Sequence, residues 1–112
     1  MFYVNFLGGS GFAPFCIADG DGLKKAILGK DAGFHVVVKD QLQEQRQNGG
    51  ENLRINVVAP DGRFVRHSMH DRQNGTYRVV WKPSNEGEHR LSITLKDMHI
   101  DGSPFIGTVT ET

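Results

Sequence analysis

The chain has a single cysteine, Cys16, among its 112 residues. No internal disulfide can form, so the fold must rest on its own core. Secreted β-sandwiches commonly carry an inter-sheet disulfide, and its absence favours a reducing, cytoplasmic setting. Charge of one sign is also lacking: 13 basic and 13 acidic residues cancel. With no global field to draw a polyanion, nucleic acid is not an expected partner. No apolar run is long enough to cross a membrane, and no biased tract suggests disorder. The start, Met1 to Leu7, has no basic n-region and runs straight into Gly8-Gly9-Ser10-Gly11, so a signal peptide is not expected. Leu7 to Gly11 reads as a native linker or an appended stretch, which makes residues 1–13 an extension ahead of a domain at residues 14–112. A sustained helical period is missing as well.

What is present is alternation. A chain of this length is one domain's worth of protein and buries roughly 60–70% of its unfolded surface, enough for one core. Strands are predicted near Phe15–Ala18, at Phe34–Val38, Leu53–Val57, Phe64–Met69, Tyr77–Trp81, Leu91–Leu95 and Phe105–Thr110. Turn signals separate them, among them Ala59-Pro60-Asp61-Gly62, Asn74-Gly75 and Lys82-Pro83. Seven short strands, each with one dry and one wet face, predict an all-β, seven-stranded, immunoglobulin-like antiparallel sandwich. The expected dry set is Phe34, Val36, Leu53, Ile55, Val57, Tyr77, Val79, Trp81, Leu91, Ile93, Leu95 and Phe105. The one helical candidate, Asp40 to Gln47, lacks an apolar stripe and reads as a polar loop ending at Asn48-Gly49-Gly50.

The order of the turn motifs carries more. Asp71-Arg72-Gln73-Asn74-Gly75-Thr76-Tyr77 resembles the Asp-x-x-Asp-Gly-Thr-Tyr segment of filamin repeats. Trp81-Lys82-Pro83 followed by Glu86-Gly87-Glu88-His89 is similar to that family's aromatic-x-Pro and Gly-x-His/Tyr steps. Ile100-Asp101-Gly102-Ser103-Pro104-Phe105 resembles its Ile-x-Gly-Ser-Pro-Phe signature. Each motif is weak alone, but together they span residues 14 to 110 in order. Three positions depart from the pattern. Trp81 stands where Tyr is more usual, and Gly107 falls where an inward aliphatic is expected, leaving less packing there. His67 replaces a more usual aliphatic residue.

The resemblance implies a non-enzymatic module within a larger cytoskeletal or scaffold protein. It implies that a partner peptide adds as an extra strand beside the third strand, at Leu53, Arg54, Ile55, Asn56 and Val57. Side chains of that peptide would enter a groove walled by Val65, His67 and Met69. An edge strand supplies the unpaired N–H and C=O groups that such pairing needs. Arg54 is the kind of edge charge that also discourages pairing, and His67 makes the groove less apolar. The alternative is a passive spacer, a dimerisation element or a substrate-recognition domain in a RING-type, tripartite-motif ubiquitin ligase, because filamin-type domains also occur beside RING fingers.

Other chemistry finds little support. His67 and His70 are oddly spaced on a strand and fall on opposite faces. His35, His89 and His99 sit on separate elements and are expected to be solvated or capping, so no metal is predicted. Asp19-Gly20-Asp21-Gly22 begins like a calcium loop, but Lys30 stands where the twelfth-position Glu is required. Gly29-Lys30 is followed by Asp31, which rules out a phosphate loop. Nothing near Cys16 activates a thiol, and Ser68 lacks a Gly-x-Ser-x-Gly elbow. No cofactor or small-molecule ligand is expected.

Overall fold

The alternating runs become strands of two facing sheets in a computed structural model that describes residues 11–47 and 49–112. The readings of Met1 to Ser10 and of Asn48 lie outside these residues. Among the described residues nine strands form: β1 (Ile17–Asp19), β2 (Lys25–Ile27), β3 (Ala32–Val37), β4 (Leu53–Val58), β5 (His67–Asp71), β6 (Thr76–Trp81), β7 (Gly87–Leu95), β8 (Met98–His99) and β9 (Phe105–Thr110). One sheet runs β1-β3-β6-β5 and the other β2-β9-β7-β4, with β8 paired to β7. The count exceeds seven because the first strand is split into β1 and β2 and because β8 adds a short hairpin partner. All pairs are antiparallel except β2 with β9. Asp40 to Gln47 is a loop, tied by Asp40, whose Oδ1 accepts the Leu42 and Glu44 amides at 2.8 and 3.1 Å.

Period-two burial follows the sequence closely. Every residue of the expected dry set is buried except Phe105, which is half-buried at the sandwich end. Trp81, Tyr77 and Phe34 are the largest of the enclosed side chains. The sandwich reaches ahead of the expected start at residue 14: Ala13 is buried, and the Phe12 amide donates to the Lys39 carbonyl at 2.8 Å. The fourth strand also begins later than expected, at His67, with Phe64 forming only a single bridge to Val58.

The split of the first strand is built from small residues and one indole. Gly20 takes φ 137°, a value that favours glycine, and lets the chain leave β1. A single 3-10 turn at Asp21–Leu23 then carries it to the other sheet. Gly22 packs against the backbone of Gly33 so closely that a Cβ would lie 2.6 Å from the Gly33 carbonyl oxygen. Trp81 Nε1 donates to the buried Gly22 carbonyl at 3.1 Å. This bond gives the departure from Tyr a purpose, since the indole N–H satisfies an acceptor the turn would strand. Gly107 belongs to the same junction. The expected packing deficit is absent, because a Cβ there would lie 3.2 Å from Leu91 Cδ1 and 3.5 Å from the Leu23 carbonyl oxygen.

His89 corrects another expectation. It is fully buried, neither solvated nor capping, and its ring lies 5.3 Å from that of Trp81. Nδ1 meets the Gly87 carbonyl at 3.1 Å, while Nε2 is buried with no partner among the described residues. Register explains the burial, because His89 pairs with inward-facing Gly107. At the other end, Ser103 Oγ accepts the Ile93 amide at 2.8 Å and also meets His99 Nδ1. This anchors the Gly102-Ser103-Pro104 loop beneath Phe105.

Trp81→Phe removes the donor to Gly22 while keeping an aromatic ring. It is expected to cost about 2 kcal/mol or more, from an unpaired buried carbonyl plus lost volume, read as a lower midpoint in urea unfolding. Burial pushes the Cys16 thiol above its ordinary value of 9.0, and burial likewise raises the Tyr77 phenol above 10.0. Both groups are held neutral, so their contribution is intact below the unfolded-state values and is lost as pH rises through the raised folded ones. Urea midpoints are therefore expected to fall above about pH 9, and to fall less in Cys16→Ala.

Candidate partner-binding edge

The sandwich has two lateral openings. One is closed covalently, because the first strand supplies the edge of both sheets as β1 and β2. The other lies between β4 and β5, the opposite edges, which share no sheet. It is pinned at its ends. The Val65 amide donates to the Val57 carbonyl at 2.8 Å at one end. Asp71 Oδ2 accepts the Gly50 amide at 2.8 Å at the other. Between these pins the two strands are edges of separate sheets.

Strand parity decides what β4 offers there. Arg54, Asn56 and Val58 pair with Thr94, Ser92 and Arg90 of β7. The Lys96 amide donates to the Asn52 carbonyl, while Val57 bonds on the opposite side to Val65. Odd-numbered residues of β4 therefore point their amide groups away from β7. The N–H and C=O of Ile55, midway between the pins, face the open edge. Six residues make β4 longer than β1, β2 or β5, the other sheet edges.

The eight residues singled out in the sequence divide by this parity. Leu53, Ile55 and Val57 are buried, so they offer backbone and not side chains. Arg54 and Asn56 are exposed on the outer face. Arg54 is paired with Asp97 at 3.9 Å, an exposed contact worth little. Val65 is half-buried against the core. His67 and Met69 register with Trp81 and Val79, so both face inward at the open side. Met69 is 40% exposed and His67 half-buried, with Nδ1 3.4 Å from the Val65 carbonyl, at the long end of hydrogen-bond distances. Ser68 and His70 leave by the other face, as expected from their spacing.

Sequence reading missed two supports of the groove. Asp71 occupies the third inward position of β5, opposite Tyr77. Its Oδ1 also accepts the Gln73 amide at 2.8 Å, and a Cβ on Gly49 would collide with the carboxylate. Glu51 lies just before β4. Its carboxylate accepts Arg46 Nε and the Gly11 amide, each at 3.1 Å, and its own amide donates to Tyr77 Oη at 3.0 Å. The Asp-x-x-Asn-Gly spacing held the signal for Asp71. Nothing in sequence marks the pairing of Glu51 with Arg46.

The filamin/ABP280 repeat family model matches residues 10–106. Among curated proteins, the chain is 43% identical over 102 residues to the E3 ubiquitin-protein ligase TRIM71 of Mus musculus, covering 91% of this chain and 12% of that protein. It is 33% identical over 96 residues to the E3 ubiquitin-protein ligase TRIM45 of Bos taurus, covering 84% of this chain and 17% of that protein. The chain thus spans only a small fraction of these relatives. Among solved structures, the Lin-41 filamin domain superposes with a TM-score of 0.84 at 27% identity, covering 92% of this chain and 99% of that one.

Parity gives a direct test of side-chain roles. Met69→Glu is expected to leave the unfolding free energy within about 0.5 kcal/mol of wild type, as an exposed change should. Ile55→Ala is expected to cost roughly 2–5 kcal/mol, because it opens a cavity in the core. Urea titrations of both variants check the assignment.

Proposed function

Because this chain belongs to the filamin/ABP280 repeat family, we propose that it is a non-enzymatic protein-binding module that takes an extended peptide beside β4. The observation that carries the proposal is that the N–H and C=O of Ile55 face away from β7 toward the open edge, with no partner among the described residues. An incoming strand would bond to Ile55 and direct alternate side chains toward Met69, His67 and Val65. Leu53 and Val57 would frame it through their backbone, and Arg54 and Asn56 would border it on the outer face. Met69 is suited to this role because its flexible thioether adapts to different side chains. His67 narrows the choice, since an imidazole in the groove favours a peptide with a polar group at that step.

The parent protein is a second matter, and the relatives bear on it. Two of them are named as E3 ubiquitin-protein ligases, which favours a place in such a ligase over a cytoskeletal protein. There the domain would present a substrate or a neighbouring domain, and the catalytic step would belong to another part of the chain. Among the described residues no helix is long and apolar enough to cross a membrane.

Short peptides selected from a random display library on the purified chain test the edge. Bound peptide is expected to slow exchange of the Ile55 amide about tenfold or more, and Met69→Glu is expected to abolish binding without lowering the melting temperature. Protection confined to β1 or β2, or binding indifferent to Met69→Glu, would reject strand addition at β4.

A further inference from the structure

The outer face of the β1-β3-β6-β5 sheet divides by charge. Register sets Ser68 and His70 of β5 beside Val80 and Arg78 of β6, and the Arg78 row continues through His35 of β3 to Asp19 of β1. These side chains leave on the solvent side, because Phe34, Val36, Tyr77 and Val79, on the same strands with the opposite parity, are core. Two flanking residues prolong the β5 row. Arg72 stays in the ladder, its amide donating to the Thr76 carbonyl at 3.1 Å. Arg66 shares an open hollow with Ser68, Val80, Lys82 and Asp31. The β5–β6 half of the face thus presents Arg66, His70, Arg72, Arg78 and Lys82. Asp71, the acid of these two strands, has the opposite parity and accepts the Gly50 and Gln73 amides. Asp19 and Asp31 stand on the β1–β3 side.

These cations are not compensated within the chain. Among the described residues no hydrogen bond or ion pair engages the side chains of Arg66, Arg72, Arg78 or Lys82. Alternate residues of a strand lie roughly 6.6–6.8 Å apart and neighbouring strands about 4.8 Å, within the Debye length of ~8 Å, so the charges repel one another. Arg78 is half-buried, and its guanidinium lies against Gly33, where a Cβ would sit 2.4 Å from Nη2. That contact limits where the fork can go.

We propose that the β5–β6 strip is a second docking surface, which takes an acidic protein segment whose carboxylates pair with Arg66, Arg72, Arg78 and Lys82. Charge complementarity carries the choice. Arginine forks receive carboxylates in bidentate geometry, and an acidic segment relieves the repulsion along the strip. An extended segment repeats its side chains at the spacing of the β5 row, so Asp or Glu at alternate positions matches that row. Nucleic acid fits less well. Phe34, Tyr77 and Trp81, the aromatic residues of these strands, are buried, which leaves no platform on which bases could stack. Asp19 and Asp31 would also repel a phosphate backbone that crossed toward β1. The strip is on the solvent face, whereas His67 and Met69 face inward at the β4 edge, so the two surfaces are separate.

Peptides displayed on phage, selected on the wild-type chain in dilute buffer and counter-selected on Arg72→Gln/Arg78→Gln, test the proposal. Selected peptides are expected to carry Asp or Glu at alternate positions. They are expected to bind that double variant about tenfold more weakly, to lose as much when their acids become amides, and to weaken as salt rises. Arg66→Gln/Lys82→Gln, at the other end of the strip, is expected to weaken binding several-fold, and it keeps the test sound if loss of Arg78 lowers the melting temperature. Lys24→Gln/Lys25→Gln removes equal charge elsewhere and is expected to leave affinity within about twofold of wild type. Amide shifts should centre on His70, Arg72 and Arg78. Selected peptides without acids, an equal loss in the Lys24→Gln/Lys25→Gln variant, shifts centred on Ile55, or tighter binding of oligouridylate than of the acidic peptides would each overturn it.

Discussion

The hydrogen bond from Trp81 Nε1 to the Gly22 carbonyl marks the constraint on which the rest of the sandwich depends. The first strand must serve both sheets, and it changes sheet within the few residues from Gly20 to Leu23. That change strands a carbonyl in the interior and forces two backbones together at Gly22 and Gly33. A buried acceptor needs a donor, and a close approach needs glycine. Trp81 provides the first, and Gly22 and Gly107 provide the room. Residues that look like unrelated departures from a family pattern are thus parts of one joint.

Closing one side of the sandwich in this way leaves the other side to edges. β4 and β5 belong to different sheets, and the chain at the two ends of this edge is tied where the Val65 amide meets the Val57 carbonyl and where Asp71 accepts the Gly50 amide. The length between these pins has one strand's amide groups facing outward and a half-exposed methionine across from it. The same glycine economy recurs on the outer face of the other sheet. Gly33, whose backbone Gly22 packs against, also lies against the guanidinium of Arg78. One residue therefore links the internal joint to an external charged centre.

Much of the fold was legible because period-two alternation reports burial directly. Leu53, Ile55 and Val57 against Arg54 and Asn56 read as in and out, and the structure places them so. Turn chemistry was equally readable: Gly75 and Gly102 both take positive φ, as their motifs demand. His89 was not legible, because a histidine is buried or solvated according to what stands opposite it in another strand. The candidate edge could be named from sequence as a segment, but which of its groups face outward could not. Leu53, Ile55 and Val57 have buried side chains and present backbone at this edge, while the pairing of Glu51 with Arg46 beside it gave no sign in the sequence.

The sequence by itself determined the all-β class, the dry face of each strand, the turn positions and the family, because these follow from local periodicity and from motifs in linear order. The tertiary structure alone decided the division of the first strand between sheets, the burial of His89, the choice of β4 as the longest open edge and the alignment of His35, Arg78 and His70. Each of these depends on which strands become neighbours and in what register. Pairing between distant segments is set by the packing of the whole core, which no local stretch of sequence encodes.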